Sequence, residues 1–304
     1  MRHLFKGVVA LVATGGMLGL AAPAAFADGQ EDVRQSVNVV GDGSSVTIDA
    51  ATVEAGPISF KVASTNVVTE MGGGSQVGMF QPKKGVTLEQ VFADLAEELT
   101  QGDSLAAAKA AAKGTRDLTR DVSVFGLADV VPDYPEVVTE RLRRGTYYLM
   151  DLANPPQGAP KLTQLTVTGR RGDGHGSGLD SQVRVQATSD DRFIAPESWP
   201  HEGTYTFRNV SDTLHFMNIG PVKPGTTDDE IQAFFDSPAS NGPGNPPFAV
   251  QGPSGGNDVV SPGRSIQVSY DLPAGTYVLQ CFIADDVTGM PHALMGMHKV
   301  ITLT

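Results

Sequence analysis

From Ser36 onward the chain runs in short segments where apolar and polar residues alternate, each closed by Gly, Pro, Asn or Asp. A two-residue period of this kind marks strands with one buried face. The strands it predicts in the first half are Ser36–Val40, Ser45–Asp49, Ile58–Val62, Val122–Phe125, Val137–Leu142, Thr146–Met150 and Leu162–Val167. In the second half they are Gln182–Gln186, Thr204–Asn209, Leu214–Ile219, Phe248–Gln251, Ser265–Tyr270, Thr276–Ile283 and His298–Leu303. Two sets of short strands at this spacing predict an all-β chain of two tandem Greek-key β-sandwiches.

The pattern changes to helical spacing at matching places in the two halves. Thr87 with Gln90, and Thr227 with Glu230, form capping boxes. Behind them Leu88, Val91, Phe92, Leu95 and Leu99, and then Ile231, Phe234 and Phe235, make apolar stripes that predict one short core-facing helix in each half. A further helix, Ser104 to Lys113, is expected in the first half alone, capped by Asp103 and stopped by Gly114.

The halves also correspond residue by residue. Pro132 matches Pro262, Leu142 matches Leu272, and Gly145-Thr-Tyr147 matches Gly275-Thr-Tyr277, all 130 positions apart, while Thr87 and Thr227 are 140 apart. Motifs kept in order at a constant spacing argue for two copies of one unit. The Gly-rich stretch 169–179 is the expected linker, which divides the chain into a unit at 28–168 and a second at 180–304. The Arg171-Gly172-Asp173 tripeptide inside it is read as a chance feature of such a linker.

Residues 1–27 carry a basic start (Arg2, Lys6), a short apolar run and Ala25-Phe26-Ala27, the pattern of a signal peptide cut after Ala27. Secretion without a transmembrane segment is therefore expected. Its removal leaves 20 basic against 34 acidic residues. Such a balance excludes nucleic acid as a partner, because phosphate binding needs clustered Lys and Arg. The chain holds one cysteine, Cys281, so no internal disulfide can form. In an exported protein an unpaired thiol calls for burial, an intermolecular bond or a metal.

Cys281 ends the run Gly275–Ile283 on its more apolar face, beside Tyr277, Leu279 and Ile283. His292, Met295 and Met297 follow within 17 positions, and His215 stands in an earlier strand on the same face as Met217 and Ile219. A thiolate, two imidazoles and a thioether suit copper, since sulfur stabilises Cu(I) and imidazole serves both oxidation states. The segment from Gly275-Thr-Tyr277 through Cys281 to Pro291-His292 and Gly296-Met297 resembles the ligand loop of plastocyanin-like cupredoxins. That resemblance implies a cupredoxin-like fold, His215, Cys281 and His292 as trigonal ligands of one copper ion, and Met297 as weak axial ligand, with Met295 the alternative.

Two features depart from the family pattern. Ten residues separate Cys281 from His292 where two to four are usual, and Phe216 stands where an Asn often follows the first histidine. At the matching positions of the first half stand Asp151, Lys161 and Ser75, so that half cannot hold copper in this way. An Asp151–Lys161 ion pair is expected across its vacated site. No catalysis is expected. A trinuclear copper cluster needs paired His-x-His motifs, and none occurs here, nor does a Ser-His-Asp order or a phosphate loop. Two functions remain: electron transfer or copper carriage outside the cell, with a redox partner or envelope component that the sequence does not name, and a copper-free extracellular interaction or structural module.

Overall fold

The computed structural model describes residues 35–66, 74–100, 102, 104–154, 160–169, 181–237 and 246–304. The leader and all of the linker but Gly169 lie outside the described residues. In the first half the strands are β1 (Gln35–Gly41), β2 (Val46–Ile48), β3 (Thr52–Glu54), β4 (Gly56–Ser64), β5 (Ser75–Pro82), β6 (Val122–Val130), β7 (Glu136–Leu142), β8 (Gly145–Asp151) and β9 (Thr163–Thr168). In the second they are β10 (Val183–Ala187), β11 (Phe193–Ile194), β12 (Ser198–Trp199), β13 (Glu202–Asn209), β14 (His215–Pro221), β15 (Gly255–Val260), β16 (Ser265–Asp271), β17 (Gly275–Gln280) and β18 (His298–Leu303). Among the described residues three α-helices accompany them: α1 (Leu88–Glu98), α2 (Leu105–Asp121) and α3 (Asp228–Phe235).

Each half is a β-sandwich with the same ladder order. One layer runs β2-β1-β4-β7 in the first half and β11-β10-β13-β16 in the second; the other runs β3-β9-β8-β5-β6 and β12-β18-β17-β14-β15. Alternation along β1 and β13 sends Val37, Val39, Tyr205 and Phe207 inward, where none is exposed to solvent. The two layers press these side chains together into one core.

Neither layer stops at the linker. β7 pairs antiparallel with β16 and β6 with β15, so an eight-stranded and a ten-stranded sheet run through both halves. The first junction is centred on Val138 opposite Val268, flanked by Thr139 with Gln267 and Val137 with Ser269. Val268 is the counterpart of Val138 in the 130-residue correspondence, and that correspondence exchanges the two flanking pairs, so β7 and β16 meet about a local two-fold axis. Two strand edges that would otherwise stand open are closed against each other.

Both cap residues do what their sequence predicts. Thr227 and Glu230 form the complete box at α3, whereas at α1 only Thr87 accepts, from Gln90 N, because the Gln90 amide turns to Asp121. Of the α1 stripe, Val91 and Leu95 are buried, but Leu99 lies past the last turn and is exposed. The second helix is longer than predicted. Ser104, not Asp103, supplies its N-cap, and Gly114 sits inside it and does not end it. A Cβ on Gly114 would lie 2.1 Å from Glu98 N and 2.6 Å from Glu98 Cα. The glycine is there because α1 and α2 touch backbone to backbone.

Gly114→Ala therefore has a sign opposite to the usual one. In a free helix it gains about 1 kcal/mol, but here the helices must part, at an expected net loss of about 2 kcal/mol. Urea unfolding measures the difference, and a more stable variant would show that the contact is not what selects glycine.

Candidate metal centre

His215 opens β14, Cys281 follows the last residue of β17, and His292 begins a single 3-10 turn, His292–Met295, on the way to β18. β14 and β17 are neighbours in one sheet, with Asn218 opposite Gln280, which brings His215 and Cys281 to the same end of the second sandwich. The third residue is returned by the chain itself. His292 N donates to Ile283 O at 2.9 Å, Ala293 N to Cys281 O at 2.7 Å, and Met297 N to His292 O at 2.9 Å.

The three side chains converge, and none is exposed to solvent. Cys281 Sγ lies 3.7 Å from His215 Nδ1 and 3.6 Å from His292 Nδ1, and the two rings are 4.7 Å apart between centroids. Metal–ligand lengths of about 2.0–2.3 Å with trigonal angles separate N from S by about 3.5–3.8 Å. The donor atoms already stand at that separation. Met297 is fully buried and its carbonyl faces Cys281 N at 3.4 Å. Met295 is partly exposed, and its sulfur accepts from Thr288 Oγ1 at 3.7 Å.

Burial sets the protonation of the site. It lowers His215 to about 3, helped by the neighbouring His292, and lowers His292 to about 4. Both imidazoles are neutral at ordinary pH, and each keeps one lone pair. Burial also pushes the Cys281 thiol up to about 12, against hydrogen bonds from the Phe216 and Ile283 backbone. The thiol is therefore protonated until a cation takes the proton's place.

Sequence reading missed Asp191. Its carboxylate Oδ1 lies 3.6 Å from His292 Nε2 and 3.9 Å from His215 Nε2, on the far side of both rings from the sulfur. Burial, then the nearby Asp285, raises it to about 6. Its signal in the sequence was slight, an Asp-Asp pair in a turn, but its backbone has φ of +53°, a conformation Asp tolerates better than most residues.

The ten-residue loop after Cys281 does not hang free. Asp285 Oδ1 accepts from Val287 N, Thr288 N and Thr288 Oγ1, Asp285 N donates to Met290 O, and Ala284 bridges to Pro291. The outer side of the loop rests on α2 of the other half. A Cβ on Gly289 would lie 1.9 Å from Ala108 O, and Arg116 donates to Asp286 O.

The first half has filled the corresponding place differently. Asp151 is fully buried and accepts from the backbone N–H groups of Gly43, Gln76 and Ala153. Ser75 bonds Ser64, and Lys161 is exposed. The expected Asp151–Lys161 pair is absent among the described residues: three N–H donors already satisfy the carboxylate, so it has no need of a cation.

The two-layer β-sandwich of each half is consistent with a cupredoxin-like fold. No family model and no curated protein matches the chain. Among solved structures it is similar to a reduced auracyanin from Roseiflexus castenholzii, with 19% identity over 42% of this chain and 99% of that one and a TM-score of 0.26. It is also similar to rusticyanin, with 18% identity over 40% of this chain and 76% of that one and a TM-score of 0.23. Over more of its length it is similar to a blue copper oxidase from Nitrosomonas europaea, with 9% identity over 89% of this chain and 85% of that one and a TM-score of 0.21. Likenesses this remote carry no argument about function, and the site stands on its own geometry.

Proposed function

We propose that this is an exported protein whose second half binds one copper ion in a type 1-like centre, for electron transfer or copper carriage and not for catalysis. The observation that carries the reading is the buried triangle of His215 Nδ1, Cys281 Sγ and His292 Nδ1, held at ligand separation by backbone hydrogen bonds. Copper held by these donors would supply one-electron chemistry between Cu(I) and Cu(II), since sulfur favours the first and imidazole serves both. The protein's part is to hold the two neutral imidazoles in place, to release the thiol proton when Cys281 becomes a ligand, and to keep water out. Met297, buried and tied to both Cys281 and His292, is our choice for the axial position over Met295, whose sulfur is already engaged. The halves are read as two copies of one unit, with the first kept for shape, and residues 1–27 as the export signal.

Titration of the purified full chain with Cu(II) tests this. One equivalent is expected to bind and give an intense visible thiolate-to-copper band. Cys281→Ser is expected to abolish the band with little change in unfolding midpoint, since the buried hydroxyl faces the Nδ1 atoms of His215 and His292 as hydrogen-bond partners. Metal bound without the band, or no metal bound, would make Cys281 a packing residue and leave a copper-free extracellular module.

A further inference from the structure

The two histidines each have a second nitrogen, and neither is satisfied. His215 Nε2 and His292 Nε2 are buried and have no hydrogen-bond partner. A neutral imidazole carries one N–H. If it sits on Nδ1, it points at Cys281 Sγ and takes away the lone pair a metal needs; if it sits on Nε2, it needs an acceptor. A buried donor left without one bears its full desolvation cost. The carboxylate oxygen that faces both Nε2 atoms is Asp191 Oδ1, just beyond hydrogen-bond length from each. Asp285 also lies near His292, but its Oδ1 is taken by three donors of its own loop.

We propose that Asp191 is a positioning residue, whose carboxylate takes the Nε2–H of both histidines and so fixes the tautomer in which both Nδ1 lone pairs face Cys281. The turn that carries it is built to hold it there. Asp191 N donates to Thr188 O at 3.1 Å and Thr188 N to Arg192 O at 3.1 Å. Arg192 Nη1 then reaches the ligand loop, donating to Met295 O at 3.1 Å. On that loop the Arg192 guanidinium lies close over Gly296 (φ +101°), 3.0 Å from where a Cβ would stand. The turn is thus strapped over the rings, and its carboxylate is itself largely covered, with 15% of the side chain exposed.

This assignment rests on the copper reading only for its consequence, and it is tested first without metal. Long-range proton–nitrogen correlation spectra of the metal-free, nitrogen-15-labelled full chain report the tautomer of each ring. Both His215 and His292 are expected as neutral Nε2–H forms. Either ring found as Nδ1–H overturns the proposal. Asp191→Gly keeps the left-handed backbone without strain and removes the acceptor; at least one ring is expected to shift to Nδ1–H or to a mixture. Asp191→Asn keeps an acceptor oxygen and is expected to retain the wild-type tautomers. Copper affinity is expected to drop 10- to 100-fold in Asp191→Gly, roughly the usual effect of losing such a partner, and to be largely restored in Asp191→Asn. A Gly variant with unchanged tautomers and unchanged affinity also overturns it. If the tautomers respond as stated but the wild-type chain takes up no copper, the copper reading fails and the role of Asp191 stands.

Discussion

Gly289→Ala is expected to unseat the ligand loop and weaken copper binding at least 10-fold, although the residue touches none of the donors. Gly289 has φ of +73°, and a Cβ there would sit 1.9 Å from Ala108 O and 2.6 Å from Ala108 C. Left-handed backbone costs a non-glycine residue roughly 1–2 kcal/mol by itself. The overlap with α2 adds more, because the obstacle is helix backbone and not a side chain that can turn away. Either the loop lifts off α2 or α2 moves, and the loop is the weaker of the two. His292 is three residues downstream, so its nitrogen moves with the loop, and a displacement of about 1 Å is enough to spoil a preorganised site. Gly263→Ala is the control: its φ is +74°, but nothing lies within 4 Å of the new Cβ. That variant should show the backbone strain alone and bind copper normally. Thermal unfolding and copper titration of the two variants side by side decide the matter. Equal affinity in both would mean that α2 does not support the loop.

The same contact holds in place a loop that leaves ten residues between Cys281 and His292. In a short loop, covalent geometry places the second histidine. Here Asp285 folds the loop back on itself, β17 and β18 hold its ends, and α2 supplies the floor. Among the described residues α2 has no counterpart in the second half, yet it supports the loop that carries His292.

The sequence made visible what depends on local pattern. Alternating strands such as β1, β7 and β16 and the caps Thr87 and Thr227 follow from residue type and spacing, while His215, Cys281 and His292 are grouped by the resemblance to a cupredoxin ligand loop. Elements whose surroundings come from elsewhere in the chain were illegible. β5 lies between β6 and β8 and is buried on both faces over Val77–Phe80, so it shows no alternation. β15 is Gly-Gly-Asn-Asp before its valines and resembles a loop. It is a strand because Gly256, with φ of +134° and Met217 O only 2.0 Å from where a Cβ would be, lets it close against β14. The run Phe248–Gln251 is apolar for another reason and holds only one isolated bridge, Val222 with Ala249. Phe248 packs edge-on under Phe234 of α3, with ring centroids 5.5 Å apart. Gly114 reads as a helix stop because its reason, the backbone contact with Glu98 of α1, depends on how the two helices pack and not on the pattern of α2 itself. Asp191 belongs to the site only through a turn whose strap, Arg192 to Met295, spans 103 residues.

Stability is expected to fall as pH rises from 6.5 to 9, with a loss of about 5–10 °C in unfolding midpoint. The cause is a set of carboxyl groups covered where the halves meet. Burial raises Asp129 to about 7, Asp258 to about 6 and Glu140 to about 8, the last against the pull of Arg264; it also raises Glu136 well above the usual range and Glu98 to about 7. Several of these cross between halves. Asn218 donates to Asp129 and Gln76 to Asp258, Gly256 N donates to Glu136, and Arg264 reaches Glu140 at 3.3 Å. A group whose folded pKa is raised holds its proton in the native state after the unfolded chain has lost it. Its contribution is complete below the unfolded value, about 4 for a carboxyl, and is lost as pH climbs through the folded value. The two lowered histidines act in the opposite sense, contributing stability above 6.5 and losing it below, so they are silent in the chosen window. Carboxylates held low, such as Asp49 and Asp121, change only at acid pH and are silent too. A tenfold difference in proton affinity between the folded and unfolded chain corresponds to about 1.4 kcal/mol. Relaxation with water entry trims the combined effect to roughly 2–4 kcal/mol, a few degrees per kcal/mol at this chain length. Glu136, whose Oε2 has no hydrogen-bond partner, is the sharpest probe. Glu136→Gln keeps the acceptor for Gly256 N and removes the ionisation, so the midpoint of the metal-free variant should vary less between pH 6.5 and 9 than that of the wild type. Thermal unfolding at both ends of the window supplies the measurement. A wild-type midpoint that rises with pH would mean that these carboxyls are ionised in the folded chain, and that the junction is held by charge pairs and not by neutral, hydrogen-bonded acids.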